Sequence, residues 1–527
     1  METIAQLIAR RGAERSDATF LMFNDRTVTF GELAREVKRW AAAFHAFGVS
    51  AGDRVGLMMT NHPEHIFMYL GLSWIGAINI EHSVHLKKLG LETQLSDCDP
   101  RFVIGETTFA GELKPSLAAA PTLEAVLWWG PDAERVAAEG VTGAGGRPVG
   151  VRALEHLVRA EHPAIEPVKD LARIQTISYT SGTTGLPKGA MLTERYFLIG
   201  AGNAAILADA RSDDVLFMWE PFFHMAGWMT VLISLMHGIP IGMVERFSGT
   251  RCWDQIRAYK ATLLHYLGGA MNILLKQPPR PDDADNPIRV AWGAAAPTQN
   301  WREFERRFGV TIHECYGLSE GQNMTHMNLE GRVGSIGRPV AEFDAWAEDD
   351  NGRRLGASEV GELVLKPKQP NITMSGYFRN EAKTADVLRN GCVYTGDLVS
   401  VDADGYFYFT GRKKDALRRR GENVSAWEVE RVLNAHPTVE ESAVIGVPSE
   451  MGEQDIKAFV KPAAGETADA QTLIAWCQQH LAYYQVPRYL AVVDEFPRGP
   501  TQRIQKTLLS QSVADCFDAE KAKPGRA

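Results

Sequence analysis

The alternation of strand and helix patterns between Phe20 and His82 restricts the fold more than any other feature of this chain. FLMF reads as a strand, Asn24 and Asp25 as a turn, TVTF as a second strand, and a helix follows from about Glu32 to Phe47. Leu33, Val37, Trp40, Phe44 and Phe47 recur at spacings of three and four, so they share one helical face, and Gly48 supplies the stop. DRVGLMMT then reads as a buried strand, HPEHIFMYLGLSWIG as a helix and AINIEH as another strand. Patterns that alternate in this way build a parallel α/β layer, and the fold class expected is α/β with sheets flanked by helices.

At 527 residues the chain exceeds one ordinary domain, and its composition, 45% hydrophobic and 23% charged, is that of a globular protein with sizeable cores. The 56 Lys and Arg against 65 Asp and Glu leave a net charge of −9, which argues against nucleic acid as a principal partner. Six scattered cysteines without a CxxC pair read as reduced thiols. The amino terminus lacks the apolar core of a signal peptide, and the apolar stretch from Met229 to Val244 is broken by His237, Gly238 and Pro240, short of the ~20 residues of a membrane span. The expectation is a cytoplasmic protein without an integral membrane segment; oligomeric state, a homodimer included, is left open.

Residues from about Pro115 to Ile165 carry weak periodicity and are expected to form peripheral helices and loops. The strongest boundary signal lies at Gly411 and Arg412, which divides the chain into an N-terminal domain of residues 1–411 and a small α+β domain of residues 412–527. In the latter, Ser425 and Glu428 read as a capping box ahead of Val429, Val432 and Leu433, and Pro437 ends that helix. ESAVIGV and IKAFV read as strands, Leu473, Trp476, Cys477, His480 and Leu481 as a helical stripe, and YLAVVDEF as a further strand. The tail KAKPGRA is expected to be unstructured.

The sharpest chemical signal is Tyr179-Thr180-Ser181-Gly182-Thr183-Thr184-Gly185-Leu186-Pro187-Lys188-Gly189, directly after the strand-like IQTIS. Small residues let backbone amides approach an anion, hydroxyls add donors and a lysine adds charge, which together suit a polyphosphate. Counted from Gly182, Pro187 stands where the common GxxxxGK[ST] loop has glycine, and Lys188 is followed by Gly189, so this is a different phosphate loop.

The loop resembles the signature of the acyl-adenylate-forming superfamily: acyl-CoA synthetases, beetle luciferases and nonribosomal peptide adenylation domains. Three further motifs of that superfamily follow in order: Tyr316-Gly317-Leu318-Ser319-Glu320, Tyr394-Thr395-Gly396-Asp397 and Gly411-Arg412-Lys413-Lys414-Asp415. Most similar are the acyl-CoA synthetases, of carnitine/crotonobetaine or fatty-acid type. A tyrosine in a loop can stack on adenine, and a glutamate beside phosphates suits Mg²⁺. The resemblance gives Tyr316 the adenine, Glu320 and Thr184 the metal, and Asp397 and Arg412 the ribose. It also places Gly293, Ala294 and Ala295 with the following Ala296 and Pro297 beside the adenine, and adds Glu314, Cys315, Gly317 and Ser319 to the nucleotide site.

Pro221-Phe222-Phe223-His224-Met225-Ala226-Gly227 resembles the segment that lines the acyl pocket, to which Trp219, Trp228 and Trp292 add aromatic surface. His224 reads as a pocket residue rather than a base. The resemblance further implies a mobile second domain with its hinge at Lys414, and an approach of coenzyme A to Arg420, Gly421 and Glu422. Arg418, Arg419 and Arg420 read either as a solvated run or as a phosphate contact. One position departs from the family: Arg503 stands where the adenylation lysine is expected, and Lys506 lies three residues on. Arginine keeps the positive charge but aims a bulkier planar fork.

These readings imply an ATP- and Mg²⁺-dependent carboxylic acid:CoA ligase, acting through an acyl-adenylate, with Lys188, Glu320, His224 and Arg503 in the chemistry. Two alternatives remain open. One is an acyl-AMP ligase loading a separate carrier protein; the other is a catalytically impaired nucleotide- or acyl-binding homologue, because of Arg503. The identity of the acid is open to aliphatic, aryl and cyclic classes.

Overall fold

The computed structural model describes residues 1–180, 187–413, 416–419, 422–449, 454–498 and 504–521, with the backbone alone at Thr180, Ala416, Arg418, Glu422 and Asn423. The predicted tail from Ala522 onward lies outside the described residues. The chain forms two compact units, one of residues 1–180, 187–344 and 365–393, the other of 345–364 and the described residues from 394 on.

Among the described residues, the first unit holds a seven-stranded and a nine-stranded sheet. The seven-stranded sheet runs Gly150–Ala153, Ala125–Trp129, Phe102–Glu106, Arg54–Met58, Ile78–Glu81, Ile174–Thr180, Lys188–Thr193. All neighbours are parallel except the last pair, which runs antiparallel with Thr180 opposite Lys188. The expected parallel layer is there. Two of its strands, Ala125–Trp129 and Gly150–Ala153, fall in the segment expected to be peripheral helices and loops. Their signal is weak for a physical reason: AVLWW is only five residues long, and the edge strand GVRA buries one residue of four.

The nine-stranded sheet has a parallel centre of Thr311–Leu318, Val290–Ala294, Leu263–Leu267, Leu216–Met218, Ile241–Met243 and Thr19–Phe23, with antiparallel strands at both ends. The predicted helix spans Phe30–Phe47 and ends at Gly48; Leu33, Val37, Trp40 and Phe44 are buried on one face. Each such side chain withdrawn from water contributes roughly 1.5 to 3 kcal/mol before entropy is charged against it. No helix of the described residues is long and apolar enough to cross a membrane: the apolar stretch after Met225 is the helix Met225–His237, closed by Gly238.

The second unit contains a sheet of Val439–Pro448, Gln454–Pro462, Tyr489–Val492 and Phe517–Asp518, covered by the helices Ala426–Asn434 and Ala470–His480. Trp476 Nε1 donates to Val432 O at 2.9 Å and ties the two helices together. Ser425 is the N-cap of the first, yet the expected capping box does not form. Its hydroxyl donates to Thr410 O at 2.6 Å, and Glu428 accepts from Gln485 at 2.6 Å. A tertiary partner has displaced each local one.

Candidate functional site

In the first unit, the segment Met374–Phe378 runs beside Lys188–Thr193, with backbone bonds Ser375 N to Met191 O and Phe378 N to Gly189 O, both 2.8 Å. This seats Tyr377 under the end of the phosphate-loop motif. Lys188 Nζ lies 4.6 Å from the centroid of the Tyr377 ring, a cation against an aromatic face. The Tyr377 hydroxyl donates to Glu320 Oε1 at 2.5 Å, and Met374 N donates to Glu320 O at 3.1 Å. Tyr377 thus brings together the lysine and the carboxylate that the motifs single out. Ser181, Gly182, Thr183, Thr184 and Gly185 lie outside the described residues.

Among the described residues no group of three or more His, Cys, Asp or Glu side chains forms a metal site. One carboxylate suits Mg²⁺ nonetheless, because that ion takes one or two protein oxygens and draws the rest from phosphates and water. Glu320 keeps its second oxygen without a hydrogen bond among the described residues, which fits that role.

The small-residue wall is built by register. In the parallel pair Val290–Ala294 and Thr311–Leu318, Gly293 faces Glu314 and Ala294 faces Cys315. Ala295 then adopts a left-handed φ of 62°, uncommon for a residue with a side chain. Glu314 holds that turn: its carboxylate accepts from Ala295 N at 2.5 Å, Ala296 N at 2.9 Å and the Tyr266 hydroxyl at 2.6 Å. Burial pushes the Glu314 carboxyl up to about 7 although these donors favour its charged form. Glu314 therefore shapes the wall from behind. Cys315 is buried, with its thiol pushed well up by burial.

Tyr316 is half-buried, edge-on to His326 at 5.8 Å. Gly317 permits the hairpin that follows, since a Cβ there would lie 2.0 Å from Asn323 O. Ser319 is half-buried in the same turn as Glu320.

The aromatic segment contributes to a pocket enclosing about 270 Å³, open solvent included, lined by Phe222, Phe223, Trp228, Thr176, Ser178 and Glu81 among others. Of the predicted acyl-pocket residues, Phe223 and Trp228 reach it. His224 caps the helix Met225–His237, with its ring 4.8 Å from that of Phe223. Trp219 turns away, donating to His265 O at 2.8 Å and packing on Phe247. Trp292 is buried against the His265 ring.

The second unit explains the Tyr394-Thr395-Gly396-Asp397 motif. The Thr395 hydroxyl donates to Leu363 O at 2.8 Å, and Gly396 takes a left-handed φ of 70° while its N donates to Glu362 Oε1 at 3.0 Å. The next residue, Asp397, is 2% exposed and sits opposite Arg412 in the antiparallel ladder, where Arg412 Nε lies 2.9 Å from Asp397 Oδ1.

Lys414, Arg420, Gly421 and Arg503 lie outside the described residues, as does the Glu422 side chain. Arg419 fits neither reading of the arginine run: it is buried, pairs with Asp455 at 3.2 Å and donates to Val486 O. Lys506 Nζ lies 2.7 Å from Glu430 Oε1.

Comparison with known proteins gives the family of the chain. Residues 8–378 match the model of the AMP-binding enzyme family, and residues 428–503 match the AMP-binding enzyme C-terminal domain. The crotonobetaine/carnitine–CoA ligase of Salmonella typhimurium is 29% identical over 510 residues, 93% of this chain and 95% of that one. O-succinylbenzoate coenzyme A synthetase from Bacillus subtilis, solved with ATP and magnesium ion, superposes with a TM-score of 0.81 at 24% identity, covering 95% of this chain and 98% of that one. ATP-bound MatB from Rhodopseudomonas palustris gives 0.81 at 25% identity, covering 96% and 98%. The chain belongs to the AMP-binding enzyme family, with CoA ligases as its relatives.

Proposed function

We propose that this protein joins a small carboxylic acid to coenzyme A in two steps. The acid's carboxylate oxygen attacks the α-phosphorus of ATP, the bond to the bridging oxygen breaks, and acyl-AMP and pyrophosphate result. The coenzyme A thiolate then attacks the acyl carbon and AMP leaves. Neither step requires a protein nucleophile, so the residues act by positioning and by charge.

Lys188 and the hydroxyls of the phosphate-loop motif hold the polyphosphate, Glu320 holds magnesium, and Asp397 accepts from the ribose hydroxyls beside Arg412. Magnesium, when bound, neutralises phosphate charge. Arg503 approaches the α-phosphate from a C-terminal domain that begins at Arg412 and turns at Lys414, and Arg420, Gly421 and Glu422 meet coenzyme A. The observation that supports this reading best is the Lys188, Tyr377 and Glu320 group, which sets a cation and a carboxylate oxygen at the end of the phosphate-loop motif.

The test is pyrophosphate release over a panel of acids, with and without coenzyme A, and mass-spectrometric detection of the products. Acyl-CoA formed only with ATP supports the ligase. Acyl-AMP that accumulates and is unaffected by coenzyme A points to a carrier-protein acceptor. Tight ATP binding without pyrophosphate release from any acid overturns the enzyme reading in favour of a silent binding protein.

A further inference from the structure

The aromatic pocket carries one acidic group that neither the motifs nor the proposed chemistry uses. Glu81 ends the strand Ile78–Glu81, and His65 lies in the first turn of the helix Pro63–Trp74, which follows the neighbouring parallel strand. A parallel sheet brings the carboxyl end of one strand and the start of the next helix to the same edge, where ligands of α/β proteins bind. His65 Nε2 stands 3.0 Å from both Glu81 oxygens, and His65 Nδ1 stands 3.0 Å from Thr60 O. The side chains are 1% and 10% exposed.

The protonation of this pair follows from its partners. A carbonyl oxygen only accepts, so His65 Nδ1 carries a proton and donates to Thr60 O. The contact to Glu81 needs a second proton, shared along the line between His65 Nε2 and the carboxyl oxygens. Burial alone would lower the His65 pKa, but Glu81 and the Thr60 carbonyl outweigh it and the net shift is upward. His65 thus fixes the direction of the Glu81 carboxyl group.

The other polar groups near the pocket are partly committed. The Thr176 hydroxyl donates to Asn79 O at 2.9 Å and accepts from the Tyr69 hydroxyl at 3.3 Å, while the Tyr69 ring stacks on Trp228 at 3.5 Å. Among the described residues, His65 is the one side chain that donates to Glu81, which leaves the carboxylate acceptor capacity toward the pocket. A purely alkyl tail seated there would strand that capacity away from water, an unfavourable exchange.

Resting on the ligase reading above, we propose that Glu81, held by His65, is a specificity-determining residue that accepts a hydrogen bond from a hydroxyl or a protonated amine on the tail of the substrate acid. The rings of Phe222 and Trp228 cover the methylenes between that group and the reacting carboxylate.

The test uses the full-length protein and ATP–pyrophosphate exchange without coenzyme A, so that only the acid and nucleotide are bound. Straight-chain acids of increasing length are compared in three arms: methyl-terminated, ω-hydroxy and ω-amino. At the length that spans the pocket, the wild type is expected to prefer a donor-bearing acid over its methyl isostere by roughly 10- to 100-fold in kcat/KM. Glu81→Gln is expected to abolish a preference for the amine, and to weaken a preference for the hydroxyl, which an amide oxygen still accepts. His65→Gln, which keeps one donor to Glu81 but removes the positive charge, is expected to lower the preference less.

The wild-type panel stands whether or not a variant folds. Equal or better use of methyl-terminated acids at every length overturns the inference, as does a Glu81→Gln effect confined to the KM for coenzyme A in the complete reaction. Exchange with methyl-terminated acids alone leaves the ligase reading intact; exchange with none of these straight-chain acids overturns the inference, and the ligase reading falls with it only if the wider acid panel also releases no pyrophosphate.

Discussion

The Tyr377 hydroxyl donates to Glu320 Oε1 at 2.5 Å while the face of the same ring meets Lys188 Nζ at 4.6 Å. One side chain therefore fixes the distance between the phosphate-loop lysine and the carboxylate proposed for magnesium. Tyr377→Phe keeps the ring and removes the hydroxyl. It is expected to slow acyl-AMP formation by about 10- to 100-fold, the value of one hydrogen bond to a charged group, and to raise the magnesium concentration needed for half-maximal rate. Pyrophosphate exchange measured against magnesium checks both, and an unchanged profile removes Tyr377 from the site. Lys188→Ala, which removes the charge itself, is expected to cost roughly 10²-fold in the same assay.

The Asp397 and Arg412 pair separates binding from stability. Arg412→Ala leaves the buried Asp397 carboxylate without its guanidinium neighbour. A loss of roughly 2 kcal/mol is expected, below the 3 to 5 of a fully buried pair because Arg412 is one-third exposed. Asp397→Asn preserves shape and is expected to act mainly on ATP affinity. Thermal melts and calorimetric ATP titration of both variants distinguish the effects. If the asparagine variant binds ATP as tightly as the wild type, the ribose role of Asp397 is wrong.

The sequence reveals contiguous chemistry well and assembled chemistry poorly. Thr395, Gly396 and Asp397 are neighbours in the chain, so the motif that carries the Asp397 carboxylate shows in the sequence, while the anchor and turn that hold it show only in the structure. Tyr377 and Glu320 are 57 positions apart, and nothing local marks Tyr377 until Met374–Phe378 is seen beside Lys188–Thr193. Glu314 gives the same lesson in reverse. Its place beside a nucleotide motif suggests a ligand contact, but the register with Gly293 turns its carboxylate onto the Ala295 and Ala296 amides. The burial of Arg419 within an arginine run depends on Asp455, on a strand 36 positions away. The fold class was legible because hydrophobic periodicity is itself local; short or edge strands such as Gly150–Ala153 carry too few buried positions to announce themselves.

The buried Glu314 also makes stability depend on pH. Its carboxyl, pushed from 4.5 up to about 7 by burial, binds a proton in the folded state at pH values where the unfolded chain has released it. Stability is therefore expected to fall as pH rises from about 4.5 to about 7 and to level off above that. The size is of order 3 kcal/mol if this group acts alone. Urea unfolding across that window, compared between the wild type and Glu314→Gln, isolates the contribution. A slope that persists in the glutamine variant assigns the effect to other groups.

The competition between Arg503 and Lys506 for the adenylation role has a structural asymmetry. Lys506 Nζ lies 2.7 Å from Glu430, whose carboxylate also accepts from Val444 N at 2.6 Å, so this lysine fastens the turn Lys506–Leu508 to the helix Ala426–Asn434 and its sheet. Using Lys506 at the α-phosphate means breaking that contact and leaving Glu430 without this partner. Arg503→Ala is accordingly expected to reduce acyl-AMP formation strongly while sparing thioester formation from supplied acyl-AMP. Arg503→Lys is expected to retain or raise adenylation, because a point charge replaces the broader fork. Lys506→Ala is expected to cost about 1 kcal/mol or less of stability and to leave both half-reactions near wild-type rates. Measuring the two half-reactions separately in all three variants decides the matter. Adenylation lost in Lys506→Ala and kept in Arg503→Ala transfers the role to Lys506 and shows that the contact to Glu430 is released during turnover.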